Sequence, residues 1–203
     1  MPNRETVIRN LRKYIGQDLY LLASMYRVTT FLNGKQNKGW KGHVLEHIAG
    51  LGSSSSQAPN GGNYELKSVS FKYQKGVLIP QETMAITMIN PEQLKIQDFF
   101  DSHCWHKLRS MVFCKVLWHG PHIAKAELME VADFDFSPYD PLTLEIKRDY
   151  DLIRARLIKD GLKNLISKEG IWIQARTKGR GHGSISRAFY AKKALLKKIF
   201  GEQ

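Results

Sequence analysis

Cysteine is scarce in this sequence, two in 203 residues. So few thiols cannot build a disulfide framework, and they point to a reducing compartment, with the cytoplasm as the expected location. Long apolar runs are missing as well. Hydrophobic stretches are interrupted by charge within about ten residues, short of the ~20 that span a bilayer, so no membrane helix is expected. Met1 to Glu5 leads into a charged amphipathic segment rather than an apolar core with a small-residue cleavage site, and no secretory signal is expected. Acidic residues are few too: 19 Asp plus Glu face 31 Lys plus Arg, a formal net charge of +12. Such an excess points to a polyanionic partner, whether nucleic acid, an anionic membrane surface or an acidic protein. With 42% hydrophobic and 25% charged residues the chain has globular composition, which excludes a disordered tail, a collagen-like chain or a coiled coil.

The position of the charge narrows the choice. From Arg176 to the C-terminus eight basic residues (Arg176, Lys178, Arg180, Arg187, Lys192, Lys193, Lys197, Lys198) meet one acid, Glu202, with Phe189, Tyr190 and several glycines between them. Basic side chains interleaved with aromatics and glycine can approach phosphates with backbone as well as side chains, so a nucleic-acid footprint fits this stretch best. A solvated surface helix is the plainer alternative.

Hydrophobic periodicity predicts the order of elements. Val7, Ile8, Leu11 and Ile15, then Leu19, Leu22 and Met25, read as two helices broken at Gly16, and a third starts near Trp40 with Val44, Leu45 and Ile48. Ser53 to Asn63 is composed as a loop. Tyr64 to Tyr73 alternates as a strand, with Val77 to Ile89 as its partner. A helix carrying Phe99, Phe100 and Trp105 leads to a strand over Met111 to Trp118, with His122 to Val131 as its hairpin mate. Asp140-Pro141 is an N-cap followed by proline at the first helical position, and it opens a long helix sustained by Leu142, Ile146, Tyr150, Ile153, Leu157 and Leu162 that stops near Gly161 to Gly170. A short strand at Ile171 to Ala175 and a last helix over Ala188 to Phe200 complete the chain. The class is α/β, with helices gathered at the ends and strands in the middle, as one domain or two lobes around a cleft.

The most informative stretch is Pro59-Asn60-Gly61-Gly62-Asn63-Tyr64-Glu65-Leu66-Lys67. Residues i and i+2 of a strand share a face, so a carboxylate and an ammonium stand side by side near the loop residue Asn60. Phosphodiester hydrolysis uses such a set: carboxylates hold Mg²⁺, the metal polarises the phosphate and lowers the pKa of a bound water, and the lysine orients that water or stabilises developing charge. Glu-x-Lys alone is weak, since it is also an ordinary exposed strand pair.

The wider pattern resembles the MutH family of DNA mismatch-repair endonucleases and the related GATC-cutting restriction enzymes, within the PD-(D/E)xK nuclease superfamily. Leu11 to Met25 with its central Gly16, and Lys38-Gly39-Trp40-Lys41-Gly42-His43-Val44-Leu45-Glu46, look like the family's N-terminal helices. Tyr64-Glu65-Leu66-Lys67 falls where the family has Glu-Leu-Lys. His106-Lys107-Leu108, Gln174-Ala175-Arg176-Thr177-Lys178 and Arg187-Ala188-Phe189-Tyr190-Ala191-Lys192-Lys193 follow in the family's order.

The resemblance implies a restriction-endonuclease-like mixed central sheet flanked by helices, in two lobes around a DNA cleft: a catalytic lobe over roughly 1–120 and a DNA-reading lobe over roughly 121–203. It implies a metal site of Glu65, Glu46 and the position of Asn60, with Lys67 catalytic and Lys107 near the active site. Arg176, Lys178 and Tyr190 match positions that face the DNA, and Arg180, Arg187, Lys192 and Lys193 extend that basic footprint. The implied activity is Mg²⁺-dependent cleavage of double-stranded DNA at GATC or a related short site, with adenine methylation deciding whether it is cut. Double-strand restriction is favoured over mismatch-repair nicking, which would bring a repair partner protein, because the chain is more basic than a recruited enzyme requires.

One departure stands out. The family has aspartate after the proline, where this chain has Asn60. An amide is a neutral, weaker ligand for a hard cation, so activity is expected to be weakened. Three explanations are open: an engineered inactive variant, which is favoured because the other family positions are in place, a natural enzyme relying on Glu46, or a protein that binds DNA without cutting it.

Competing metal motifs are less complete. His43-Val44-Leu45-Glu46-His47 spells His-x-x-Glu-His with both histidines on one helical face, as zinc ligands require, but no convincing acidic third ligand follows. His103-Cys104-x-His106 and His119-x-x-His122 are also short of a full ligand set. Cys104 and Cys114 are expected to be ordinary buried or half-buried thiols. Lys178 to Ser184 lacks the lysine context of a nucleotide-binding loop and reads as a DNA-contacting loop or a plain connector.

Overall fold

Helix starts are set by side chains that take up orphan backbone donors. In the computed structural model, which describes residues 2–32, 35–52, 58–120, 125–178 and 185–201, the Asn3 carboxamide accepts from Thr6 N at the head of α1 (Arg4–Arg12), and the Asp18 carboxylate accepts from Tyr20 N at the head of α2 (Leu19–Met25). Asp18 also accepts from Ala126 N at 3.0 Å, which fixes the start of α2 against a distant strand. Ile15 and Met25, part of the expected apolar stripe, are exposed. The serine run at 53–56, His122, and the glycine-rich segment with Arg180 lie outside the described residues.

The chain divides into two compact units, each made of two separate stretches: residues 1–81 with 110–134, and residues 82–109 with 135–203. The sequence suggested one contiguous division near residue 120. Pairing of the strand at 110–118 with the strand at 65–74 brings it back into the first unit and interleaves the two.

In the first unit a minor hairpin, β1 (Phe31–Leu32) and β2 (Lys35–Gln36), precedes α3 (Trp40–Ala49). The main sheet has the order β4-β3-β6-β7, built from β3 (Glu65–Gln74), β4 (Val77–Pro80), β6 (Ser110–Trp118) and β7 (Ala126–Asp135). β3 runs antiparallel to β4 and parallel to β6, with Glu65 opposite Met111 and Lys67 opposite Phe113. The sheet is therefore mixed. Every residue from Met111 to Trp118 is buried, as expected of a central strand with a continuous apolar run. Val7, Leu11, Leu19, Leu22, Val44 and Leu45 of the three helices pack with Leu66, Val112, Cys114, Val116 and Leu128 of the strands in one core.

The second unit holds an antiparallel sheet of order β5-β9-β8, from β5 (Met84–Met88), β8 (Ile173–Thr177) and β9 (Arg187–Ala191). Around it lie α4 (Pro91–Ile96), α5 (His103–Leu108), α6 (Pro141–Asp160) and α7 (Lys193–Ile199). Phe99, Trp105 and Phe189 each place a ring within 5.3–5.4 Å of Phe99 or Tyr150, forming an aromatic centre. Burial there raises the Tyr150 hydroxyl to about 12.

Two expectations are corrected here. Val77 to Ile89 is two strands rather than one, because Pro80 ends the pairing with β3 and Met84–Met88 joins the other sheet. The last helix begins at Lys193, not Ala188: Arg187–Ala191 is the central strand of the second unit's sheet, buried at every position except Tyr190.

Asp149 anchors that sheet to α6. Its carboxylate accepts from the backbone N–H groups of Ile171, Trp172 and Ile173 at 2.6–2.9 Å, and Glu145 accepts from the Trp172 indole at 2.6 Å. Gly170 turns the chain into this contact with φ 75°, and a Cβ there would lie 2.1 Å from the Ile173 carbonyl oxygen.

Candidate active site

The loop before β3 is shaped around one ring. Gly61 N donates to Tyr64 O at 2.9 Å and Gly62 N to Pro59 O at 3.1 Å, closing consecutive turns. A Cβ at Gly61 would lie 2.2 Å from the Tyr64 ring, so only glycine fits beneath it. The ring is buried, its hydroxyl donates to Pro2 O at 3.0 Å, and burial raises that hydroxyl's pKa. This packing holds Asn60 against the first residues of β3.

Four of the expected site positions meet there. Glu65, 1% exposed, accepts from Asn60 N through Oε2 at 2.9 Å and pairs through Oε1 with Lys67 Nζ at 2.7 Å. The i, i+2 relation therefore puts the acid and the amine in contact, as the alternation of a strand requires. Asn60 Oδ1 accepts from Leu66 N at 2.7 Å, while Asn60 Nδ2 faces Leu66 O at 3.4 Å and Glu46 Oε1 at 3.5 Å. α3 brings Glu46 into this group from the opposite end of the loop.

The arrangement has a chemical asymmetry. Glu46 and Leu66 turn oxygen acceptors toward the Asn60 amide, while the adjacent Glu65 carboxylate meets Asn60 N and the Lys67 ammonium. Such a donor set suits a hard cation, which takes carboxylate and carbonyl oxygens. At position 60, however, the Leu66 N–H bond fixes the carbonyl half of the side chain and leaves the NH₂ half toward the other oxygens. The amide thus donates where a carboxylate would have offered a further lone pair. Carboxylate and carbonyl oxygens are the donors a hard cation takes, and the one misfit atom among them is Nδ2 of Asn60. The Leu66 carbonyl was not foreseen from the sequence, since every residue carries one.

From α3, Lys41 Nζ donates to Ser70 Oγ of the sheet at 2.5 Å and lies 4.6 Å from the Trp118 ring. Lys115 is buried between the Phe71 ring and Glu130, at 4.8 and 3.8 Å. Cys104 and Cys114 are fully buried, and burial raises both thiols' pKa values, so neither is primed as a nucleophile. His43 and His47 are exposed on α3, with His47 stacked on Tyr26 at 5.7 Å, and no cluster of three His, Cys, Asp or Glu side chains gathers among the described residues.

The expected DNA-facing positions fall in the second unit. Arg176 and Lys178 are exposed; the Arg176 guanidinium donates to Thr83 Oγ1 at 2.7 Å and lies 5.5 Å from the Tyr190 ring. Burial raises the Tyr190 hydroxyl's pKa, and Arg176 partly opposes that shift. Lys193 is exposed at the head of α7. Lys192 is half-buried and donates to Gly170 O. Arg187 is 9% exposed and donates to the carbonyls of Lys163 at 2.8 Å, Leu165 at 3.2 Å and Ile185 at 3.2 Å, which ties down the loop after α6. Its guanidinium is a structural tie in this geometry. Lys107 sits half-buried on α5 in the same unit.

No helix among the described residues is long and apolar enough to cross a membrane. No curated protein matches the chain. Residues 48–136, the span that carries Asn60, Glu65, Lys67 and Lys107 but neither Glu46 nor the basic C-terminal positions, match the family model described as "DNA mismatch repair enzyme MutH". That match spans less than half of the chain, and over it, across a loop and strand whose side chains converge as set out above, the chain is similar to the MutH family.

Proposed function

We propose that this chain is a Mg²⁺-dependent, sequence-specific DNA endonuclease of the restriction type, cutting duplex DNA at a short site such as GATC under the control of adenine methylation. The observation that carries this reading is the convergence of Glu46, Glu65, Lys67 and the Leu66 carbonyl around Asn60. Glu65, Glu46 and the Leu66 carbonyl would hold the cation, which when bound polarises the scissile phosphate and acidifies a coordinated water. Lys67 supplies a positive charge next to that position, suited to orienting the attacking water or balancing charge on the phosphate. Arg176, Lys178, Tyr190 and Lys193 are the DNA-facing candidates, because each offers an exposed cation or a half-buried aromatic on the second unit. Arg187 is left out, since its donors are spent on backbone carbonyls.

Asn60 weakens the site. With an NH₂ group toward Glu46 and the Leu66 carbonyl, cation binding has to displace or rotate the amide. The test is Asn60→Asp incubated with methylated and unmethylated plasmid and Mg²⁺, followed by mapping of the cut ends. Restoring several kcal/mol of charge stabilisation is expected to raise cleavage at least about a hundredfold. An unchanged rate would mean that the metal site is misplaced.

A second reading, nicking of one strand in mismatch repair with a partner protein recruiting the enzyme, is favoured by the mismatch-repair role of the matched family. The same plasmid assay separates the two: open circles support nicking, and linear product supports restriction. A third, DNA binding without catalysis, is favoured by Asn60 and predicts salt-dependent affinity with no cleavage even in Asn60→Asp.

A further inference from the structure

Asn60 is followed by Gly61, and that pair has a chemistry of its own. The backbone nitrogen of a residue after asparagine can attack the side-chain carbonyl. Glycine is the successor that hinders this least, because it carries no Cβ. We propose that Asn60-Gly61 is a self-converting site, at which loss of ammonia from the Asn60 side chain installs the carboxylate that the nuclease site lacks. The inference rests on the nuclease reading above for its consequence, though not for its chemistry.

The step balances without any outside oxidant or enzyme. Gly61 N gives up its proton and bonds to Asn60 Cγ; the Cγ–Nδ2 bond breaks and ammonia leaves with that proton, giving a cyclic imide. Water then opens the ring. Cleavage of the new Cγ–N bond gives aspartate, and cleavage of the backbone C–N bond gives isoaspartate, with the chain rerouted through Cγ.

Three features of the fold bear on this step. First, the carbonyl half of the Asn60 side chain accepts from Leu66 N at 2.7 Å, which polarises Cγ toward attack and stabilises the oxygen that gains charge. Second, the NH₂ half is the weakly held part, at 3.4 and 3.5 Å from its acceptors, so the leaving group gives up little. The product carboxylate keeps the short bond to Leu66 N and turns its other oxygen toward Glu46 and the Leu66 carbonyl, where a cation would relieve the crowding of oxygens. Third, Gly61 N is engaged with Tyr64 O at 2.9 Å. The nitrogen reaches Cγ only when that turn opens, so the local opening of one turn, not global unfolding, sets the rate.

The chain contains a second such pair, Asn33-Gly34, which serves as an internal clock. Freshly purified protein would be aged at mildly alkaline pH and sampled by peptide mass spectrometry that separates aspartate from isoaspartate, with Mg²⁺-dependent plasmid cleavage measured on the same samples. Conversion at Asn60 to aspartate is expected, with cleavage rising in proportion to the aspartate fraction. Asn60→Gln, whose longer side chain closes the ring poorly, should gain neither mass shift nor activity on ageing, and Asn60→Asp should be active from the start. An Asn60 that stays an amide, or that turns over only to isoaspartate without activity, beside an active Asn60→Asp protein overturns the conversion alone. An inert Asn60→Asp protein overturns the nuclease reading and the activation with it.

Discussion

Two buried carboxylates, one in each unit, are used in opposite ways. Asp149, 5% exposed, accepts three successive backbone N–H groups at the start of β8. Those donors belong to the fold and have nowhere else to go. Glu65, 1% exposed, accepts the Asn60 N–H and pairs with the ammonium of Lys67, a side chain that can swing to another anion. Glu46 also borders the Glu65 group through Asn60. A carboxylate saturated by main chain holds a structure together, whereas one met by a long cationic side chain and a neighbouring acid is arranged to exchange partners.

The most decisive way to break this contrast is Glu65→Gln in the Asn60→Asp background. Mg²⁺-dependent cleavage should fall at least about a hundredfold while the urea midpoint stays nearly unchanged. A large loss of stability with it would make Glu65 another Asp149. Conversely, Asp149→Asn should remove about 3 kcal/mol or more from the second unit, read as a lower urea midpoint, because charge-assisted bonds to three amides weaken together. Gly61→Ala is next: the added methyl meets the Tyr64 ring, and a loss of roughly 1–3 kcal/mol is expected, recovered in part by Tyr64→Leu.

Smaller effects sharpen the contrast from the cationic side. Arg176 is met by a hydroxyl and a ring, both neutral, which leaves its charge available to phosphate. Arg176→Ala should therefore flatten the salt dependence of DNA affinity by about one unit of slope, while Arg187→Ala should instead destabilise the loop after α6. The smallest effect is on pH dependence. Burial first, then the charges of Arg109 and His103, hold the His106 imidazole below its ordinary value. A group lowered in the folded state contributes stability that is complete above its unfolded pKa and is lost as pH falls, so the urea midpoint should decline from about pH 7.5 to about 5.5. His106→Gln should make that decline shallower.

What was legible in the sequence follows from which forces are local. Apolar spacing announced α1 and α3, and the Asp140-Pro141 pair announced α6, because both signals act within a turn or two of helix. The Glu65–Lys67 contact was legible too, since strand alternation alone enforces it. β9 was misread as helix because Ala, Lys and Leu surround it, while its strand state comes from β5 and β8, which lie far away in sequence. For the same reason the charge count included Arg187, whose burial no count of lysines and arginines can reveal. The Asn60–Glu46 proximity came only through family resemblance, and the Leu66 carbonyl came only from coordinates.

The interleaving of the two units sets an order on synthesis. As the polypeptide emerges from the ribosome, Glu65–Gln74 appears well before Ser110–Trp118, its parallel neighbour, so the edge that carries the acid and amine waits unpaired while the intervening residues are translated. During that interval the 59–62 turn has only β4 and the helices before it for support. The newborn chain therefore carries Asn60 on a turn whose strand has yet to meet its parallel neighbour, and the site is complete only once residues 110–118 have been made.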